Sequence, residues 1–256
     1  MKKLLTLAAI ATAVPLIAVE SANIVGYATQ DAAGKKYNAL GACFANTGID
    51  GKFKLADIQA NNWDYESDQL RVINPANSSI LKGLVWLTKE EAVDGEVGDK
   101  AGWYDDTEFT YEGETEFDIG SGFKTSLGSK NVSFTYSGQV YDQAFTIDCK
   151  NKKYVIIPNA LPRVATLSEI SATGWDYESD QLRILNPANS SVAQGLVWLT
   201  KDEAIDGEVG DKAGWYDDTE FTYEGGKTID PGAGFQTSLG SKNVMISFPA
   251  AITPAE

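Results

Sequence analysis

The sequence predicts an all-β protein of two tandem duplicated domains, each a β-sandwich or barrel-like unit. Three observations carry this: a long internal repeat, apolar residues that alternate with a period of two, and turn signals that cut the chain into short runs. Trp63–Gly113 recurs as Trp175–Gly225 at a constant offset of 112, and only seven of the 51 positions differ. They are Val72/Ile184, Ile73/Leu185, Ile80/Val192, Leu81/Ala193, Lys82/Gln194, Glu90/Asp202 and Val93/Ile205, most of them exchanges of one apolar residue for another. The register continues through GSGFKTSLGSKNV and GAGFQTSLGSKNV, and Leu55 and Ile58 align with Leu167 and Ile170. A repeated unit of roughly 115 residues can bury its own core, and two such units are too few and too long for a solenoid. The expected division is a signal peptide at 1–21, a first β domain at 22–137 and a second at 138–256.

Taken in order, Lys2 and Lys3 precede an apolar run from Leu4 to Val19 interrupted by Thr6, Thr12 and Pro15. This reads as a secretory signal peptide, too short and broken for a membrane anchor. Val19 and Ser21 are the small residues for cleavage, so the mature chain would begin at Ala22 with no further membrane span. A short helical turn is expected at Leu55–Ile58. The continuous run Leu84–Leu87, with Trp86 inside it, suits a strand covered on both sides. Thr88 and Glu91 have the spacing of a capping box, and Gly95 limits the helix to one or two turns. Phe109 and Tyr111 alternate with Glu108, Thr110 and Glu112; Phe123, Thr125 and Leu127 share one face; Val132, Phe134 and Tyr136 alternate with Ser133 and Thr135. All three read as half-buried strands. Ser137-Gly138 leads directly into the second unit without a Pro-rich, Ser-rich or charged linker, which implies a fixed relation between the units.

Composition excludes several function classes. There are 36 acidic and 21 basic residues, a net charge of -15, which disfavours nucleic acid because phosphates require a basic surface. No histidine is present, so no Ser-His-Asp or Cys-His set and no imidazole zinc site can form. Cys43 and Cys149 admit two readings, one disulfide in an exported chain or two small buried hydrophobes.

Three residue sets carry candidate chemistry. Asp94, Glu96 and Asp99 in DGEVGD recur as Asp206, Glu208 and Asp211, and clustered carboxylates are hard oxygen ligands suited to calcium, although the spacing departs from the EF-hand and a solvated turn is the favoured reading. The plentiful carboxylates also admit the acid–base pair of a glycoside hydrolase, a pairing that chance supplies in so acidic a chain. The third set is aromatic: Trp63, Tyr65, Trp86, Trp103 and Tyr104 with Trp175, Tyr177, Trp198, Trp215 and Tyr216. Trp86 reads as core. Trp103, between Gly102 and Tyr104-Asp105-Asp106, is the residue expected to be exposed, so Trp103, Tyr104, Asp105 and Asp106, with Trp215, Tyr216, Asp217 and Asp218, form the expected ligand surface. Asn77-Ser-Ser and Asn189-Ser-Ser match the glycosylation pattern but read as turns.

The start Ala22-Asn-Ile-Val-Gly-Tyr27, the KKYNALGACF and LADI segments, the Trp-Tyr strand, Gly120-Ser-Gly-Phe123 and the closing SGQV resemble a group of secreted β-rich proteins from planctomycete and verrucomicrobial bacteria. The second unit departs from that pattern at its start, where SGQVYDQ stands in place of ANIVGY. The resemblance implies secretion and a β-rich module and supplies no mechanism. The expectation is therefore a non-enzymatic structural, surface or matrix component, secreted, periplasmic or at the cell surface, whose partner is an extracellular polysaccharide, a protein or another copy of itself. A pair of carbohydrate-binding modules is the alternative, and an acidic-site hydrolase a distant one.

Overall fold

The computed structural model describes residues 25–45, 51–74, 79–150, 154–185, 192–240 and 242–251. The expected signal peptide, the expected mature start at Ala22 and the Asn77 and Asn189 turns lie outside them. The protein is all-β. The first half contains β1 (Val25–Ala32), β2 (Tyr37–Gly41), β3 (Lys52–Lys54), β4 (Ile58–Asn61), β5 (Gln69–Ile73), β6 (Ile80–Leu87), α1 (Lys89–Asp94), β7 (Gly102–Asp105), β8 (Glu116–Asp118), β9 (Gly122–Ser126) and β10 (Val132–Gln139). The second half follows the same order with β11 (Phe145–Cys149), β12 (Tyr154–Pro158), β13 (Ala165–Thr166), β14 (Ser171–Thr173), β15 (Gln181–Leu185), β16 (Val192–Leu199), α2 (Lys201–Asp206), β17 (Gly214–Asp217), β18 (Thr228–Ile229), β19 (Gly234–Ser238) and β20 (Val244–Phe248).

The sheets match strand for strand. A five-stranded antiparallel sheet β2-β9-β5-β6-β7 corresponds to β12-β19-β15-β16-β17, a three-stranded sheet β1-β10-β4 to β11-β20-β14, and a ribbon β3-β8 to β13-β18. The sheets stay open rather than closing into a barrel. Each half has its own apolar core. Leu40, Phe53, Leu70, Leu84, Trp103, Phe123 and Phe134 meet in one, and Ile157, Leu167, Leu182, Leu196, Trp215, Phe235 and Ile246 in the other.

Local chemistry explains most elements. β6 is buried on two sides, as its unbroken apolar run requires: Leu84 faces the core, while Val85 and Leu87 pack with Ala92 of α1 and Tyr104. Thr88 Oγ1 accepts from the Glu91 amide at 3.2 Å and Glu91 Oε2 accepts from the Thr88 amide at 2.7 Å, so the capping box forms and Gly95 ends the helix. The turn at Leu55–Asp57 is a single 3-10 turn. In β10, Val132, Phe134 and Tyr136 are buried, and in β9 Phe123 and Thr125 are buried with Leu127 just beyond, so these two alternations form the expected strands. Glu108–Glu112 does not. Thr107 and Glu108 form a turn and Phe109 adopts a left-handed φ of 53°, so the alternation there arises from a loop.

The halves meet through reciprocal contacts of equivalent strands. β2 packs on β12 and β19, and β12 packs on β9. A side chain at Gly122 would strike Ile156, and one at Gly234 would strike Ala39, the residue equivalent to Ile156. Ala39, Ile73 and Ile156 form a small buried cluster with Leu185 packed against it. The contacts are not fully reciprocal. The Gly41 amide donates to the Gly232 carbonyl at 3.0 Å, whereas the equivalent Pro158 has no amide hydrogen, and its ring occupies the space that Gly41 leaves open.

Candidate functional site

The expected ligand surface is turned inward. Trp103 and Trp215 are fully buried, and their Nε1 atoms donate to the carbonyls of Ile58 and Ile170 at 2.8 Å. Trp63 and Trp86 stand edge-on to Trp103 with ring centroids 5.2 and 5.3 Å away. Tyr104 and Tyr216 are buried too, with only their hydroxyls reaching the carbonyls of Lys100 and Lys212. Trp86 is the less enclosed ring, half-buried at the core margin. Because Gly102 enters β7 with φ 150°, a backbone available to glycine, Trp103 turns into the core instead of outward.

The aspartates that follow hold a turn. Asp105 Oδ1 accepts from the amides of Thr107 and Glu108, both at 2.9 Å, and these bonds, assisted by Lys82, hold its carboxyl below the ordinary aspartate range. Asp217 repeats this with Thr219 and Glu220, and its carboxyl is lowered chiefly by the same two amide bonds, with the Gln194 amide in place of Lys82. Asp106 and Asp218 lie over Gly83 and Gly195, where a larger residue would displace them. The DGEVGD segments are likewise spread out: Asp94 and Asp206 end their helices, Glu96 and Glu208 take left-handed φ, and Asp99 and Asp211 lie in the following turn. Among the described residues no three acidic or cysteine side chains gather at metal-binding spacing.

Cys43 and Cys149 do not pair. Both are free and buried, one in each core, and burial pushes both thiols up to about 12.

The turn that Asp105 ties presents Phe109. Its backbone is left-handed, which a bulky side chain adopts only under constraint, and the ring is 37% exposed. Phe221 repeats this with φ 52°. In the second unit Phe221 joins Tyr177, Val209 and Leu199 around a groove of about 350 Å³ whose rim carries Glu203 and Asp206. All of these recur in the first unit as Phe109, Tyr65, Val97, Leu87, Glu91 and Asp94. Tyr65 and Tyr177 are each 38% exposed. In the sequence Tyr65 and Asp94 belong to separate candidate sets, and the alternation around Phe109 predicts a strand. The groove draws on a loop before β5, on α1 and on the turn after β7, so no single stretch of sequence carries its signature.

A second concavity of about 590 Å³ flanks the joint, with Gln30, Asp31, Asn38, Leu185, Lys227 and Asp230 in its wall. Asn38 is committed to the fold, donating to the Ala33 carbonyl and to Thr125 Oγ1. Comparison of the chain with protein-family models, with curated proteins and with solved structures finds no match.

Proposed function

We propose that the chain is an exported, non-enzymatic structural component of a cell surface or extracellular matrix that displays two copies of one recognition groove on a single body. The observation that carries this reading is the joint: interlocking glycines, the Ala39–Ile156 cluster and the Gly41–Gly232 bond hold the groove of the second unit and the same residues of the first in one relation. Display of paired sites matters for partners long enough to meet both, which are the polymers of a surface or matrix. The carboxylates that made an acid–base pair conceivable are used in the fold: Asp105 and Asp217 tie turns, Glu91 and Glu203 cap helices, and Asp68 and Asp180 are buried on backbone amides.

Fractionation of the producing cells tests the reading. The protein should be found in the surface or matrix fraction and be cleaved by protease added to intact cells. Recovery in the cytoplasm, or release of products from a glycan substrate, overturns it. The exposed Tyr65 and Tyr177 rings favour the carbohydrate-binding alternative as far as they offer stacking faces, and retention of a neutral oligosaccharide would select it.

A further inference from the structure

We infer that the two grooves bind the cationic side chains, lysine or arginine, of a partner polypeptide. The inference rests on the reading above only in taking that partner to be extracellular. The groove of the second unit joins an aromatic wall, Tyr177 and Phe221, to the carboxylates Glu203 and Asp206, and the first unit carries Tyr65, Phe109, Glu91 and Asp94 at the equivalent positions. Among the described residues none of these four carboxylates enters an ion pair with a lysine or arginine of the chain itself. The charged side chains on the rim are acceptors, with no basic donor among them, so the rim repels anions and draws cations. A lysine or arginine has the complementary form, an apolar stem for Val209 and the rings and a charged head for the carboxylates.

A lysine already lies over an aromatic ring close in sequence to each groove phenylalanine. Lys212 Nζ lies 5.3 Å from the centroid of Tyr223, and Lys100 Nζ lies 5.0 Å from that of Tyr111, two residues beyond each groove phenylalanine. Asp94 and Asp206 stand at the last residue of their helices, with no basic residue in either last turn. A carboxylate there faces the carbonyl end of the helix, where a cation is favoured. An external cation relieves that arrangement. A second copy of the chain is the less suitable partner, because each carries a net charge of -15.

The test is calorimetric titration of the full chain with a short end-capped peptide bearing lysine and arginine, beside the same peptide with norleucine in their place. The groove variant combines Glu91→Gln, Asp94→Asn, Glu203→Gln and Asp206→Asn; glutamine still completes a capping box, so the helices keep their caps. A charge-matched control carries Glu90→Gln, Asp118→Asn, Asp202→Asn and Asp230→Asn, all outside the groove. The basic peptide should bind once per groove, the norleucine peptide should not, and the groove variant should weaken binding by about tenfold or more while the control changes it far less. Phe109→Ala with Phe221→Ala should weaken it comparably, with circular dichroism unchanged. Equal losses in groove variant and control would reduce the effect to a general attraction to an acidic surface and overturn the inference. So would absent peptide binding, or retention of a neutral glycan by the same grooves. Failure here with the protein still at the cell surface removes the partner and leaves the proposed function; the reverse outcome removes the location and leaves the groove.

Discussion

The groove residues and the β5–β6 hairpins of the two units have diverged differently. Every residue lining the groove is the same in both copies, whereas five of the seven substitutions in the repeated segment fall in the β5–β6 hairpin, at residues 72, 73, 80, 81 and 82 and their counterparts. Ile73 and Leu185 belong to the joint cluster, where Ala39 on one side meets Ile156 on the other. A pseudo-symmetric contact cannot be satisfied by identical residues if both sides need bulk at one point. A small residue must oppose a large one, as Gly41 opposes Pro158. Contact between the copies therefore bears on Ile73 and its counterpart Leu185, whereas Ile80, Leu81 and Val192 are exposed and take no part in the joint cluster, and nothing in the structure explains the exchanges there.

The largest expected effect separates core from surface. Trp103→Ala and Trp215→Ala should each destabilise by about 3–5 kcal/mol, because each removes a fully buried ring and its hydrogen bond to a buried carbonyl. Denaturant unfolding reads this directly. Loss of less than ~1 kcal/mol would mean that the indole is not enclosed as described.

Next comes the joint. Gly122→Val and Gly234→Val place side-chain atoms where Ile156 and Ala39 already stand, and overpacking of this kind costs about 1–3 kcal/mol. The double variant should keep its circular dichroism while small-angle scattering shows a larger radius of gyration. Gly226→Ala is the matching control: nothing lies within 4 Å and its backbone needs no glycine, so stability should hold or rise slightly. An unchanged radius in the double variant would show that other contacts hold the units together.

These experiments bear on what the sequence made legible. Strands built on strict alternation, such as Val132, Phe134 and Tyr136, were readable because period two has one structural meaning when one face is buried. The capping box of Thr88 and Glu91 was readable because both partners are local. Phe109 and Tyr111 showed the same alternation, but the two aspartates before them form a turn, and nothing in spacing distinguishes a left-handed phenylalanine from a strand residue. Trp103 was misplaced because adjacent glycine and aspartate are usual signs of a surface loop, while here Gly102 supplies the backbone that turns the ring inward. The groove was hidden for a third reason, since its residues converge only through sheet topology.

Two smaller effects concern titration. The Asp105 and Asp217 carboxyls are lowered chiefly by backbone amides, so the stability they contribute is fully present above the ordinary aspartate range near ~3.9 and is lost as pH falls through their lower folded values. Melting temperature should therefore drop on acidification below that range, and the drop should shrink in an Asp105→Asn, Asp217→Asn double variant. The two thiols, raised to about 12 by burial, should resist thiol reagents in the folded protein at mildly alkaline pH and react after unfolding. Rapid labelling of the native chain would contradict their enclosure in separate cores.

The smallest effect sharpens the comparison most. Asp94 and Asp206 carry negative charge at the carbonyl ends of α1 and α2, where no basic residue of the last turn offsets it. If these carboxylates served stability, Asp94→Asn and Asp206→Asn would lower the melting temperature. The geometry predicts the opposite: each change should stabilise by a few tenths of a kcal/mol, because a neutral amide ends the repulsion with the helix carbonyls. The effect should fade as salt is added, since these groups are exposed and screened. Paired measurement of stability and of basic-peptide binding on the same double variant then has one decisive pattern. A chain that becomes slightly more stable while it loses the cation holds those carboxylates for a partner. A chain that loses stability and keeps the cation holds them for its own fold, and the groove would then be one more solvated edge of the sheet.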